Sequence, residues 1–172
     1  MASMNRFAIA AANSGFQQTG KSFEDIAEIC LYSGFSGLEG CPSLFDKYTE
    51  RELENAGKLF RSKGLEFSTY LLPYSDPVKD DIATLYESDR KKVENSMKKH
   101  IDRAASAGAS IGILHPTSRK DCLTEEEGFD RLMGQLGKTV EALLRHSEQY
   151  KFKIAVENML PYLGDRLGSK IF

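Results

Sequence analysis

The chain has 172 residues, of which 41 % are hydrophobic and 28 % charged, the size and balance of one globular domain spanning 1–172. Its formal net charge of −2 offers no general attraction to nucleic acid or an anionic membrane, and no apolar run approaches the roughly 20 residues that span a bilayer. Cys30, Cys41 and Cys122 are odd in number, far apart and without zinc-ligand spacing, so a reduced, cytoplasmic protein is expected.

The apolar run after Arg6 is too short for a signal peptide and reads as a first strand, Phe7 to Ala12. The loop after it contains Gly15-x4-Gly20-Lys21-Ser22, which literally fits a phosphate-loop expression. Phe16, Gln17 and Gln18 are bulky for a turn that wraps a nucleotide. No later strand ends in an aspartate that would hold magnesium, unless Glu157 substitutes. Ser22 and Asp25 offer instead an N-cap and its reciprocal carboxylate, opening a helix through Ile26, Ile29 and Cys30 to Gly34. GLEG, Gly37 to Gly40, is a short second strand. Thr49 and Glu52 repeat the capping box before a helix buried along Leu53, Ala56 and Phe60 and stopped by Gly64. Leu65 to Pro73 alternates as a third strand.

A long loop, Tyr74 to Glu87, carries Asp76, Asp80 and Asp81. Ser88 is placed to cap a helix with Val93, Met97, Ile101 and Ala105 on one face, ended by Gly108. Ser110 to Pro116 is the fourth strand, with His115 at its exit. Thr124 and Glu127 predict a third capping box. Behind it Phe129, Leu132, Met133, Leu136, Val140, Leu143 and Leu144 form one amphipathic face. Gly134 and Gly137 lie within that helix, where close packing is the expected reason for them. Lys153 to Met159 is the fifth strand, its run Ile154-Ala155-Val156 apolar as in a strand buried on both faces.

The order strand, loop, capped helix, glycine, strand calls for parallel strands with right-handed helical crossovers. Two architectures use it, a doubly wound open sheet and an eight-stranded barrel, of which this chain supplies a little over half.

Candidate chemistry gathers at the strand exits. A carboxylate at the mouth of a buried strand is costly unless paired or bound to a cation, which singles out Glu157; a salt bridge across the strand ends is the alternative. His115 suits a metal or a hydroxyl group, or else packs beneath a loop. Glu39 could contact substrate or orient a ligand, or form a structural ion pair. Asn158 could order the Glu157 carboxylate or cap the loop. Arg166 with the Gly168-Ser169 turn could hold an anionic group. Arg119 and Lys120 read as a solvated turn, His100 and His146 as solvated helix residues, and Cys41 has no neighbouring histidine to activate it.

GFSGLEG at 34–40, KGLEFSTYLLP at 63–73, AGASIGILHP at 107–116 and IAVENMLPYLGDRLGS at 154–169 together resemble the xylose isomerase-like barrel superfamily, which includes sugar phosphate isomerases and epimerases and the endonuclease IV group. The last stretch is the most specific, since the family's fifth strand typically ends in a glutamate, an asparagine and a loop rich in proline and glycine. The resemblance implies an α/β parallel barrel, here its first five strands with four to five helices. It implies a divalent metal (Mn, Mg, Co or Zn) with Glu157 as ligand and catalytic group. The family's other ligands come from later strands, so the site is expected to be incomplete in a chain truncated at Phe172. The implied function is metal-dependent isomerisation or epimerisation of a sugar or sugar phosphate, by proton transfer next to a carbonyl and with this partial chain inactive. His115, Glu39, Asn158 and Arg166 would bind substrate. A non-catalytic fragment, or a protomer that pairs as a homodimer through exposed sheet edges, is the alternative. The endonuclease branch is disfavoured, because the third strand ends Leu71-Leu72-Pro73 with no histidine.

Overall fold

The structure, a computed structural model, describes residues 8–10, 16–74, 76, 79–116 and 126–157. Strands β1 (Ala8–Ala10), β2 (Gly37–Gly40), β3 (Glu66–Leu71), β4 (Ile111–Leu114) and β5 (Lys153–Val156) form one five-stranded sheet in chain order. Every pairing is parallel. A doubly wound sheet would reverse its strand order at a switch point; this one never does, and it is the wall of a barrel.

Two helices begin where the capping pattern predicts. Ahead of α2 (Phe23–Tyr32), the Ser22 hydroxyl accepts from the Asp25 N–H at 3.2 Å, and the Asp25 carboxylate accepts from the Ser22 N–H at 3.0 Å. Thr49 and Glu52 do the same for α4 (Glu50–Ser62). This arrangement also disposes of the phosphate-loop match. Ser22 is occupied as a cap, and Phe16, first residue of the short helix α1 (Phe16–Thr19), is buried in the core. A second short helix, α3 (Pro42–Phe45), follows β2 directly.

Helix α5 (Glu87–Ala107) starts one residue before the predicted cap, with Tyr86 at the N-cap and no side-chain bond there. Its first turn is held by Arg90, whose guanidinium donates to Glu87 at 2.7 Å and to Glu94 at 2.9 Å. The hydrogen bond from Arg90 draws the Glu87 carboxyl down to about 2. Helix α6 (Glu126–Ser147) buries Leu132, Thr139 and Leu143. Met133 and Leu144, predicted on the same face, are exposed, and the side chain of Phe129 lies outside the described residues, as does Thr124 of the third capping box.

The two faces of the sheet differ. Leu38, Phe67, Tyr70, Leu72 and Leu114 are buried under the helices, where Phe60 stacks on Phe67 at 4.4 Å and Phe23 and Phe45 meet them edge-on. The simple alternation predicted for β3 is broken by a bulge. Leu38 pairs with Phe67, but Glu39 pairs with Thr69, so Ser68 is extra. Phe67 and Tyr70, three residues apart, therefore both reach the helices. Strand β5 is not buried on both faces. Among the described residues it pairs only with β4, and Val156 is 51 % exposed.

A polar network crosses the core behind β3. The buried Tyr70 hydroxyl meets His100 Nδ1 at 2.9 Å, and Asp46 lies 3.9 Å from the same nitrogen. Arg103 donates to the Phe45 and Tyr48 carbonyls and sits 3.7 Å from Asp46. His100 is therefore not solvated; its side chain is 15 % exposed. His146 is likewise engaged, with Asp102 at 2.6 Å. No helix among the described residues is long and apolar enough to cross a membrane.

Helix α4 packs on α5 through Gly57, where a Cβ would collide with the Ala107 carbonyl oxygen. Around Gly134 and Gly137, in contrast, nothing described lies within 4 Å of an added Cβ, so close packing does not account for them. Gly57→Ala is expected to destabilise the fold by about 1–3 kcal/mol through overpacking. Gly134→Ala and Gly137→Ala should each stabilise it by about 0.5–1 kcal/mol. Denaturant unfolding of the three variants measures both signs.

Burial lowers the His100 pKa below its ordinary 6.5, against the opposing pull of Asp46 and Asp80 and with help from Arg103. The stability this contributes is complete above pH 6.5 and is lost as pH falls through the depressed folded value. The lowered carboxyls of Glu52, Glu54 and Glu87 act in a separate range, below their ordinary 4.5. Melting temperature should therefore fall between pH 7.5 and about 5.5, where the lowered His115 also contributes, and His100→Gln should reduce that slope without removing it. An unchanged slope in the variant would assign the pH dependence elsewhere.

Candidate functional site

The carboxyl ends of parallel strands share one rim, and a cavity of about 530 Å³ opens there, on the face opposite the helices. Leu71, Ile113 and Ala155 are register partners in turn and lie side by side in its wall. Strand periodicity places the next residues on that face two positions on, which are His115 after β4 and Glu157 after β5. The Glu157 N–H continues the ladder by donating to the Leu114 carbonyl at 3.0 Å, and this fixes where its side chain starts. His115 Nε2 then lies 3.1 Å from Glu157 Oε2.

Glu39 reaches the same cavity from β2. The bulge at Ser68 turns Thr69 toward it, and the Thr69 hydroxyl donates to Glu39 Oε2 at 2.8 Å. Tyr74, just past β3, closes the wall by stacking on the His115 ring, with centroids 4.0 Å apart and planes 9° from parallel. The imidazole is 11 % exposed, and its Nδ1 is buried without a hydrogen-bond partner among the described residues. Burial lowers the His115 pKa, and the neighbouring Glu157 carboxylate pulls the other way. A neutral ring carries one donor and one acceptor nitrogen, so His115 can present an N–H to Glu157 from Nε2 and an acceptor at Nδ1.

Of the residues singled out from sequence, Glu39, His115 and Glu157 line one cavity, while Asn158, Arg166, Gly168, Ser169, Arg119 and Lys120 lie outside the described residues. The physical premise for Glu157 needs correction. Its side chain is 47 % exposed, so its pairing with His115 is not forced by deep burial. Cys41 is buried with Sγ 3.2 Å from the Ser43 hydroxyl. Two site residues were not singled out from sequence. Tyr74 could have been found by extending the strand-exit argument to β3. Thr69 could not, since nothing in the sequence marks the bulge.

No group of three His, Cys, Asp or Glu side chains among the described residues is arranged to hold a metal ion. His115 and Glu157 fit two positions of one, an imidazole and a carboxylate suited to a divalent cation of intermediate softness.

The sequence matches the xylose isomerase-like TIM barrel family over residues 23–169, and the chain belongs to that family. No curated protein matches the sequence. Among solved structures, the fold is similar to a D-tagatose 3-epimerase-like protein (TM-score 0.70, 18 % identity, covering 90 % of this chain and 53 % of that one). It is similar to D-psicose 3-epimerase from Clostridium cellulolyticum H10 (TM-score 0.70, 10 % identity, 93 % and 54 %). It is also similar to 3-keto-D-glucoside 4-epimerase from E. coli (TM-score 0.64, 14 % identity, 91 % and 57 %). At these identities the likeness is one of fold, and the chain spans about half the length of the structures it matches.

The opposing influences on His115 can be separated by NMR titration of its ring. Glu157→Gln removes the charge that raises its pKa, so His115 should titrate lower than in the unaltered protein. Tyr74→Ala uncovers the ring, so His115 should titrate higher, nearer 6.5. Shifts of the same sign in both variants would contradict the stacked, carboxylate-paired geometry.

Proposed function

We propose that the chain carries part of the active site of a metal-dependent sugar or sugar-phosphate isomerase or epimerase. The observation that supports this most directly is the His115–Glu157 pair at the exits of adjacent parallel strands, with Glu39 facing the same cavity. The rim of such a barrel is where catalytic side chains collect.

Glu157 is the catalytic carboxylate and metal ligand in this reading. His115 Nε2–H orients the carboxylate by donating to Oε2 and can instead serve a substrate hydroxyl when that oxygen is otherwise engaged. Glu39, fixed by Thr69, accepts from sugar hydroxyls on the opposite side, and the apolar side chains of Leu71 and Ile113 meet the carbon skeleton. Asn158 and Arg166 complete the proposal as substrate-binding residues, on the strength of the family resemblance alone. A divalent cation held by Glu157, with further ligands, would polarise the carbonyl and hydroxyl oxygens of a bound sugar. Proton transfer next to that carbonyl is the reaction the carboxylates can serve. A small-molecule sugar is the proposed partner and the cytoplasm the proposed compartment.

The second reading, a protomer that pairs through sheet edges, draws on the exposed strand β5 and its half-exposed Val156. Light scattering on the purified protein decides it. A stable dimer supports pairing, and a monomer at all concentrations removes it.

The enzyme reading is tested with Mn²⁺ and a ketohexose in deuterated water. Mn²⁺ binding and deuterium incorporation next to the carbonyl are both expected of a barrel completed by its later strands, and neither of the partial chain. Glu157→Gln should abolish incorporation and weaken Mn²⁺ binding at least about tenfold, the lower end of what even an outer-shell partner contributes. Retention of both by Glu157→Gln would remove Glu157 from the site.

A further inference from the structure

A second cavity, of about 390 Å³, adjoins the first and shares Leu71 and Tyr74 with it. Each volume falls within the roughly 300–1,000 Å³ of small-molecule sites. Tyr74 is the partition. It is 41 % exposed, and its stacking on His115 holds the ring at the boundary.

The outer cavity has a distinct chemistry. Ser43, Asp46, Asp80 and His100 supply its polar atoms, while Leu72 and Pro73 supply apolar wall. No lysine or arginine among the described residues lines it. Arg103 lies outside the lining, within ion-pair distance of Asp46 at 3.7 Å and with Nη2 donating to the Phe45 and Tyr48 carbonyls. His100 has Nδ1 committed to the Tyr70 hydroxyl, so Nε2 is the ring atom left to serve a ligand. One Asp80 oxygen accepts from the Asp76 N–H at 2.9 Å, and its carboxylate retains further acceptor sites.

Two carboxylates, a hydroxyl and an imidazole beside apolar wall match a group that offers several O–H donors on a carbon frame. They disfavour a phosphate, for which Asp80 and the Arg103-paired Asp46 supply like charge and no described lining side chain supplies a guanidinium or ammonium. We infer that the site is bipartite, with the outer cavity a subsite for an uncharged, hydroxyl-rich group, such as the second unit of a disaccharide whose first unit lies against His115 and Glu157. This rests on the sugar-binding reading of the inner cavity and adds to it which kind of sugar extends past Tyr74.

The protein has three histidines, which makes imidazole NMR a direct readout. His115 reports the inner cavity, His100 the outer, and His146, bound to Asp102 and lining neither cavity, is the control. Fructose, a disaccharide ending in fructose, and a fructose monophosphate serve as probes, with diamagnetic Mg²⁺ present throughout. Fructose should move the His115 resonances alone. The disaccharide should move those of His115 and His100 together and bind about tenfold more tightly, the gain expected from one or two net hydrogen bonds. Asp46→Asn and Asp80→Asn, made separately so that one misfolded variant does not decide the matter, should each erode that gain and leave fructose binding unchanged.

A disaccharide that moves His115 but not His100, with no gain over fructose, overturns the subsite and leaves the inner site standing. A monophosphate that moves His100 and outbinds the disaccharide overturns the assignment of an uncharged ligand. If no saccharide moves His115, the sugar reading of the inner cavity falls, and the subsite with it.

Discussion

Parallel pairing of the five strands in chain order is the constraint from which the rest of the molecule follows. Each hydrogen-bonded ladder aligns neighbouring strands, so all carboxyl ends share one rim and all crossover helices share one face. His115 and Glu157 are separated by more than forty residues of loop and helix, yet the Ile113–Ala155 register leaves them adjacent. Neither side chain needs special positioning once the ladder is made. The backbone bond from Glu157 to Leu114 carries that order one residue past the strand itself.

The sheet divides its residues between two environments, and the bulge in β3 sets the division. The extra residue, Ser68, lets Phe67 and Tyr70 both enter the aromatic core beneath the helices. The same irregularity aims Thr69 at Glu39 on the opposite face. Core packing and the orientation of a candidate site carboxylate thus share a single backbone feature, and repacking the core at Phe67 or Tyr70 would be felt at Glu39.

The polar groups at the rim are arranged by partial burial. His115 is covered by Tyr74 and paired with Glu157, two influences that act on its proton in opposite directions. His100 is covered by helix and loop, and its Nδ1 is held by a hydroxyl whose own pKa is raised chiefly by burial. Both imidazoles are kept neutral at the ordinary pH of a cell, able to donate from one nitrogen and accept at the other. Tyr74 touches both cavities and is the shared element of their walls.

Much of this is written in local sequence. The capping boxes at Ser22 and Thr49 place two helix starts, and the glycines at 34, 64 and 108, all at positive φ, follow helix ends. Short apolar runs mark the strands, and their exits name Glu39, His115 and Glu157. These features are legible because capping, left-handed turns and strand burial depend on residues only a few positions apart. What the sequence could not supply was long-range. The bulge depends on how β3 meets β2, and the Tyr74–His115 stack joins residues 41 positions apart. The burial of His100 depends on α5 lying over Tyr70, although its neighbours along the helix are charged. Even the apolar run of β5 misled, since burial on both faces depends on what packs against each face of the sheet, which composition does not decide.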